Sequence, residues 1–473
     1  MLKEMGTNNH NFILHLLRLT AAVLSLSTTA SAIGVNYGTL GNNLPPPATV
    51  ANFLKTQTII DSVKLFDANP DVLRAFAGSG LSVTVTIPNG LIPSLADVGA
   101  ARGWINDNIA PFHPQTKINR VLVGNEIMAT LDDNLISNLV PAMKAVHQAL
   151  VQAGINDIQV TTAHSMGILK ASDPPSAGQF WPGHDVTVYA PMLEFLRQTK
   201  APFTVNPYSY FGYSPQMANY ALFRPNPGVH DPVTGITYTN MFDATLDATY
   251  TAMRKLGFPD VGLLVGETGW PTLCLPGQLE CNVENAAWYN SELVRRSVDG
   301  VGTPLVPNKR IGIFLFALFN ENEKPGPITE QNWGLFRPDM TPVYHCGVLR
   351  SEQPLAPIGR QGGRKTHKGS AGGATPAIPV PAAGGGKKWC VAKAGAAAPT
   401  LQANIDYACG NGADCKPIQP GGPCFEPNNV VAHATFAMNS YYRAKGSLDS
   451  TCYFSNTGVV TAVDPSNANC KFP

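Results

Sequence analysis

The chain lacks a surplus of either charge. Its 33 lysines and arginines stand against 32 aspartates and glutamates, and only 14% of its residues are charged. That balance leaves no basic footprint for nucleic acid and favours a neutral partner. No CxxC pair and no Cys/His spacing of the zinc type occurs, so neither a metal nor another cofactor is implied. No Gly-rich phosphate loop follows the first strand, which disfavours an open dinucleotide-binding sheet. There is no Asn-x-Ser/Thr acceptor, and N-glycosylation is not expected. Beyond the N-terminus no apolar run approaches membrane-spanning length, and "NANCKFP" at the end lacks the tail of a glycolipid anchor.

What is present at the N-terminus reads as an export signal. An apolar stretch from about Phe12 to Leu26, interrupted by His15 and Arg18, leads to Ser31 between Ala30 and Ala32. Signal peptidases accept that small-residue pattern, so 1–32 is expected to be removed and the mature chain to begin at Ile33. The mature protein is then freely secreted and extracellular, with no membrane anchor. Cysteine usage agrees: of nine cysteines, Cys390, Cys409, Cys415, Cys424, Cys452 and Cys470 crowd into the last segment, the pattern of a disulfide framework. Cys274 and Cys281 are near enough in sequence to pair across a loop, leaving Cys346 as a buried, inert thiol.

Composition changes after Glu352. Residues 353–388 are rich in Gly, Ala and Pro, contain no aromatic side chain and carry scattered positive charge, so they cannot bury enough apolar area to fold. As a flexible linker they span roughly 30–36 Å. Before them, apolar runs alternate with amphipathic segments. The runs are 33–38, 62–67, 81–88, 118–126, 158–165, 203–211, 261–270 and 310–321, several of them apolar almost throughout, as parallel strands covered on both faces must be. Between them lie helical patterns such as 133–153, with Leu135, Leu139, Met143, Val146 and Leu150 on one face, and 283–299. Strand and helix repeated eight times predict an α/β fold, a (β/α)8 TIM barrel over 33–352.

Strand ends converge on one face of such a barrel, and three of them carry carboxylates. Glu126 ends the fourth strand in "VLVGNE", Glu267 the seventh in "GETGWP", and Glu321 the eighth in "FNENEKPGP" with Glu323 and Lys324 nearby. Two opposed carboxylates in a neutral cleft suit glycoside hydrolysis: one holds a proton for the leaving oxygen, the other attacks the anomeric carbon or activates water. A neighbouring cation, here Lys324, keeps some carboxylates ionised. A single strand-end glutamate is more often solvated or half of an ion pair, and Glu321 with Lys324 has a purely structural alternative. Coincidence at three strand ends shifts the balance. Aromatic residues at the same ends, Tyr37, Phe66, Tyr208, Tyr210, Phe211, Trp270, Phe319 and Trp333, offer faces for sugar rings; barrel core is the alternative, strongest for Phe66 and Phe319.

These residues carry a resemblance. "GVNYG" at 34–38, "KLFDANP" at 64–70, "VGNE" at 123–126, "NPYSYF" at 206–211, "GETGWPT" at 266–272 and "NWGLFRPD" at 332–339 resemble the plant endo-1,3-β-glucanases of glycoside hydrolase family 17. The resemblance implies a retaining endo-hydrolase of β-1,3-glucan, with Glu126 as acid/base and Glu267 as nucleophile, their carboxyl groups about 5–5.5 Å apart. It further implies that Asn125 binds the sugar 2-hydroxyl, that Tyr208 donates a hydrogen bond near Glu267, and that Glu321, Lys324 and Glu330 form a charged cluster beside the site. Tyr37, Phe211 and Trp333 complete the expected substrate contacts. A transglycosylase would use the same glutamates, and a silent wall-binding protein would lack one of them.

The C-terminal segment, 389–473, resembles the plant X8 domain, also called carbohydrate-binding module family 43, through "DYACG" at 406–410, "DCKPIQPGGPCFEPN" at 414–428 and "HATFAMNSYY" at 433–442. That resemblance implies the pairs Cys390–Cys452, Cys409–Cys415 and Cys424–Cys470, one of the fifteen connectivities open to six cysteines. "HATFAMNSYY" reads equally as the apolar face of a core helix or as a sugar platform. Together the two modules lead us to expect a monomer in the apoplast or cell wall whose partner is β-1,3-glucan.

Overall fold

The computed structural model describes residues 33–275, 278–353 and most of 388–473, in two units divided within 354–387. The expected signal peptide and nearly all of the expected linker lie outside the described residues.

The first unit is built on eight runs of β-branched and aliphatic residues: β1 Ile33–Tyr37, β2 Ser62–Leu65, β3 Ser82–Ile87, β4 Lys117–Asn125, β5 Gln159–Ser165, β6 Phe203–Asn206, β7 Leu263–Thr268 and β8 Gly312–Leu315. All eight neighbouring pairs are parallel, and β1 pairs with both β2 and β8, so the sheet closes into a barrel. Every residue of β1 and all but the first of β3 are buried, as strands covered inside and out must be. The sixth and eighth strands are shorter than their apolar runs. Pro207 has no N–H for a ladder and stops β6; beyond Leu315 the regular ladder ends, with Leu318 N donating to Asn36 O of neighbouring β1 at 2.9 Å and Ala317 N to Trp333 O of a later loop at 3.0 Å.

Among the described residues an α-helix follows each of the first seven strands and covers the outside, from Pro47–Gln57 to Val283–Asp299. Asp133–Gln152 starts where the Asp132 carboxylate accepts from Asn134 N and Leu135 N, and it buries Leu139, Met143, Val146 and Leu150. Val283–Asp299 begins at an Asn282 cap and ends on Gly300 in the left-handed region, φ 67°. The strand-helix repeat lacks its last step: among the described residues of the barrel unit no α-helix follows β8. Pro325, Gly326, Pro327, Gly334, Pro338 and Pro342 break helical pairing there, and the segment folds as loops with a 3-10 turn at Ile328–Gln331 and isolated bridges, the last of them Leu349 to Thr58 beyond the first helix.

The second unit pairs strands Trp389–Ala392 and Gly458–Thr461 antiparallel beside helices Ala398–Gly410 and Val430–Ala444. Its three disulfides are Cys390–Cys452, Cys409–Cys415 and Cys424–Cys470, the connectivity the resemblance implied. In "HATFAMNSYY" the core reading holds for Phe436, Met438 and Tyr442, each at most 3% exposed. In the barrel unit Cys274 and Cys281 form a fourth disulfide, and Cys346 is a free, buried thiol that burial pushes up to about 12.

Candidate active site

Glu126 and Glu267 are each delivered to the barrel mouth by a break in strand register. On β4, Leu122 and Asn125 pair with Thr161 and Ala163 of β5, three steps against two. On β7, Val265 and Thr268 pair with Ile313 and Leu315 of β8, again three against two. Such bulges re-aim a side chain at a strand end. Gly124 makes the first one possible: its φ is +72°, and a Cβ there would lie 2.6 Å from Ile92 Cδ1. Glu126 itself is left-handed at φ 56° and ψ 38°, a conformation costing on the order of 1–3 kcal/mol for a non-glycine residue. Surrounding bonds hold it: Glu126 N donates to Ala163 O at 2.8 Å, and Asn89 clamps Asn125 by accepting from its N–H at 2.9 Å and donating to its carbonyl at 3.1 Å.

Glu267 is buried, 6% exposed, and its two oxygens have separate donors. Lys64 Nζ donates to Oε1 at 2.7 Å, and Tyr208 OH donates to Oε2 at 2.9 Å. Lys64 is an interior residue of β2, 1% exposed, whose ammonium also donates to Asn36 Oδ1 at 3.2 Å and lies 4.1 Å from the centre of the Phe66 ring. The two contacts fix both oxygens of Glu267 in place. Burial and the Glu267 charge push the Tyr208 phenol well above its usual range, so it stays a neutral donor.

Glu126 meets a different environment. Its only direct side-chain donor among the described residues is Asn206, Nδ2 to Oε1 at 2.8 Å. Burial first, then the charge of Glu267, hold its carboxyl above the ordinary range, outweighing Asn206 and Lys64. A carboxyl held above its ordinary range and an ion-paired carboxylate thus line one cleft of about 530 Å³.

The cleft also takes in Asn125, Tyr208, Phe211, Lys324, Glu330 and Trp333 of the residues expected at the site, together with Phe66 and Phe316. Tyr208 and Trp333 meet edge to face at 5.2 Å, Phe211 lies 70% exposed beside Tyr208, and Lys324 pairs with Glu330 at 3.1 Å. Three buried polar atoms of the lining, Asn125 Oδ1, Asn206 Oδ1 and Trp333 Nε1, have no partner among the described residues, which is the condition of groups that await a polar ligand.

Two expected contacts fall outside this lining. Tyr37 is 2% exposed and packs between Phe76 and Phe319, a core residue because it faces away from Asn36, the neighbour on β1 whose side chain meets Lys64. Glu321 turns away to accept from Leu40 N at 2.9 Å, pressed so close to Gly38 that a Cβ there would lie 2.2 Å from its carboxylate. It fastens the loop after β1. Of the other strand-end aromatics, Trp270 is fully buried, and Tyr210 OH lies 3.2 Å from Cys274 Sγ. The cation beside the paired carboxylate is Lys64, not Lys324. Sequence reasoning missed Lys64, Asn206 and Asn89; a lysine inside an otherwise apolar strand was the available signal, since a fully buried lysine needs a counter-charge.

A closed parallel barrel with two glutamates of unequal environment at the ends of its fourth and seventh strands is the architecture of a barrel-type glycoside hydrolase. Residues 33–348 match the glycosyl hydrolases family 17, and the chain belongs to that family; residues 388–459 match the X8 domain. Similar proteins include a glucan endo-1,3-beta-glucosidase of Triticum aestivum, 49% identical over 97% of this chain and 98% of the wheat protein. Glucan endo-1,3-beta-glucosidase 7 of Arabidopsis thaliana is 43% identical over 93% of this chain and 84% of its own. Among solved structures, a β-1,3-glucanase and allergen of Cryptomeria japonica pollen is 41% identical with a TM-score of 0.63, covering 67% of this chain and 98% of its own.

Proposed function

We propose that the protein is a secreted endo-hydrolase that cleaves 1,3-β-D-glucosidic linkages within β-1,3-glucan and retains anomeric configuration. The observation that carries this is the asymmetry of the two glutamates in one cleft. Glu126 gives its proton to the glycosidic oxygen while Glu267 attacks the anomeric carbon, forming a glycosyl ester and freeing the leaving chain. Water then adds to that carbon, losing its proton to Glu126 and displacing Glu267 as carboxylate. Asn125 Oδ1 accepts from the sugar 2-hydroxyl, Tyr208 and Lys64 steady Glu267, and Phe211 and Trp333 present rings to the sugar. The wheat and Arabidopsis relatives, named for 1,3-β-glucan cleavage along nearly their whole length, supply the linkage.

The second unit then acts as a tether. If it holds insoluble glucan, the connecting segment raises the substrate concentration seen by the barrel without new contacts at the cleft. The setting is the apoplast or cell wall, and the working form is a monomer. Among the described residues no helix is long and apolar enough to cross a membrane.

The test is incubation of the mature chain and of Glu267→Ala with linear β-1,3-glucan, reading product size by mass spectrometry and first-formed anomer by NMR. Short β-configured oligosaccharides from the wild type alone are expected. First-formed α products overturn retention, products longer than the substrate turn the reading to a transglycosylase, and no turnover of any β-glucan leaves a wall-binding protein.

A further inference from the structure

Trp181 is about half exposed, 48%, yet it is firmly mounted. It follows a small hairpin inserted after β5, in which Leu169–Ala171 pairs with Gln179–Phe180. Phe180, the residue before it, is 1% exposed and stacks on Tyr189 at 4.2 Å. Gly178 lets the hairpin close directly on helix Met241–Lys255, since a Cβ there would lie 2.0 Å from Ala248 O. The turn is bonded as well, Ser176 Oγ donating to Asp231 Oδ1 at 2.7 Å and Ser176 N to Oδ2 at 2.8 Å.

An isolated exposed aromatic needs no explanation. Trp181 differs in where its one polar atom goes: Nε1 donates to Gly167 O at 2.9 Å, and Gly167, with Ser165 and Met166, is cleft wall. The indole is therefore pinned by its polar edge to the rim of the cleft while its apolar surface faces solvent. A rigid aromatic of this kind offers a large contact area at little entropic cost. The rim it occupies follows β5, the strand next to β4 and Glu126, whereas Phe66, Phe316 and Trp333 follow β2 and β8 on the other side of the mouth. The oxygen that leaves must touch Glu126, so the departing chain runs past the acid toward the β5 rim.

We propose that Trp181 is a stacking platform for a glucosyl unit on the leaving-group side of the cleft, outside the bond being cut, and that it sets the preference for longer chains. This rests on the hydrolase reading above. The experiment compares laminarihexaose, which places sugars on both sides of the cut, with 2,4-dinitrophenyl β-laminaribioside, whose leaving group holds no sugar. Trp181→Ala is expected to lower kcat/KM for the hexaose about tenfold, the scale of one lost aromatic contact, and to leave the aryl glycoside unchanged, with Trp181→Phe recovering most of the loss. Equal losses on both substrates, or no loss on either while the wild type is active, overturn this inference alone. A wild type that cleaves neither substrate overturns the hydrolase reading and this inference with it.

Discussion

The ends of β4 and β7 hold the same residue type, each reached through a bulge of three residues against two. At the end of β7 an ammonium and a phenol each donate to one oxygen of Glu267. At the end of β4 a single amide faces Glu126, and burial with the nearby charge of Glu267 raises the carboxyl above its ordinary range. Neither glutamate has an intrinsic role. The division of labour lies in Lys64, Tyr208 and Asn206, which makes the assignment of acid and nucleophile a statement about neighbours and open to direct attack.

The sharpest break removes each carboxylate and offers azide with an aryl β-laminaribioside. In Glu267→Ala, turnover is expected to fall by at least about ten-thousandfold, and azide, entering where the nucleophile stood, gives the α-glycosyl azide in one inversion. In Glu126→Ala the glycosyl ester still forms from the activated leaving group, and azide opens it to the β-glycosyl azide. NMR of the two products distinguishes the roles, and the opposite pattern exchanges them.

A smaller effect separates the two lysines. Lys64→Met removes the cation from a buried pair whose side chains are 1% and 8% exposed. Loss of one partner from such a pair costs about 3–5 kcal/mol in stability, and loss of one contact that holds the reacting charge lowers kcat/KM by about a hundredfold or more. Lys324→Met opens a half-exposed pair with Glu330, and its loss is expected to stay within about tenfold. Melting curves and aryl-glycoside kinetics for both variants decide it; equal effects would return Lys324 to the role the sequence suggests for it.

The barrel was legible because its strands are buried on both faces and so read as nearly unbroken apolar runs, from "IGVNY" to "GIFL". Glu126 and Glu267 were legible for the converse reason, Glu126 following Gly124-Asn125 and Glu267 following Gly266 where such a run should simply have ended. Lys64 was not. In "SVKL" a lysine alternating with apolar residues looks like an outward-facing position, and only closure of the sheet turns it inward to Glu267, far along the chain. Tyr37 and Glu321 failed differently. Both lie near strand ends, where sequence does not say whether a side chain turns to the cleft or to the core and loops around it. The missing eighth helix was in plain view in the prolines and glycines from Pro325 to Pro342, set aside in favour of an assumed repeat. The six-cysteine connectivity had no signal in spacing and came from family resemblance alone.

The finest test of the contrast leaves both glutamates in place. Asn206 Nδ2 donates to Glu126 Oε1, a bond that favours the charged form and opposes the effect of burial. Asn206→Ala removes that opposition, so Glu126 keeps its proton to higher pH. The acid must be protonated to act, and activity is lost as pH rises through its titration. The basic limb of kcat/KM therefore moves upward in the variant, while its plateau falls severalfold because Asn206 also lines the cleft. A structural lesion would lower the plateau and leave the limb where it was. A limb that stays still or moves down would show that the group titrating there is not Glu126, and the acid would have to be sought elsewhere in the cleft, with Glu330 the next carboxyl to remove.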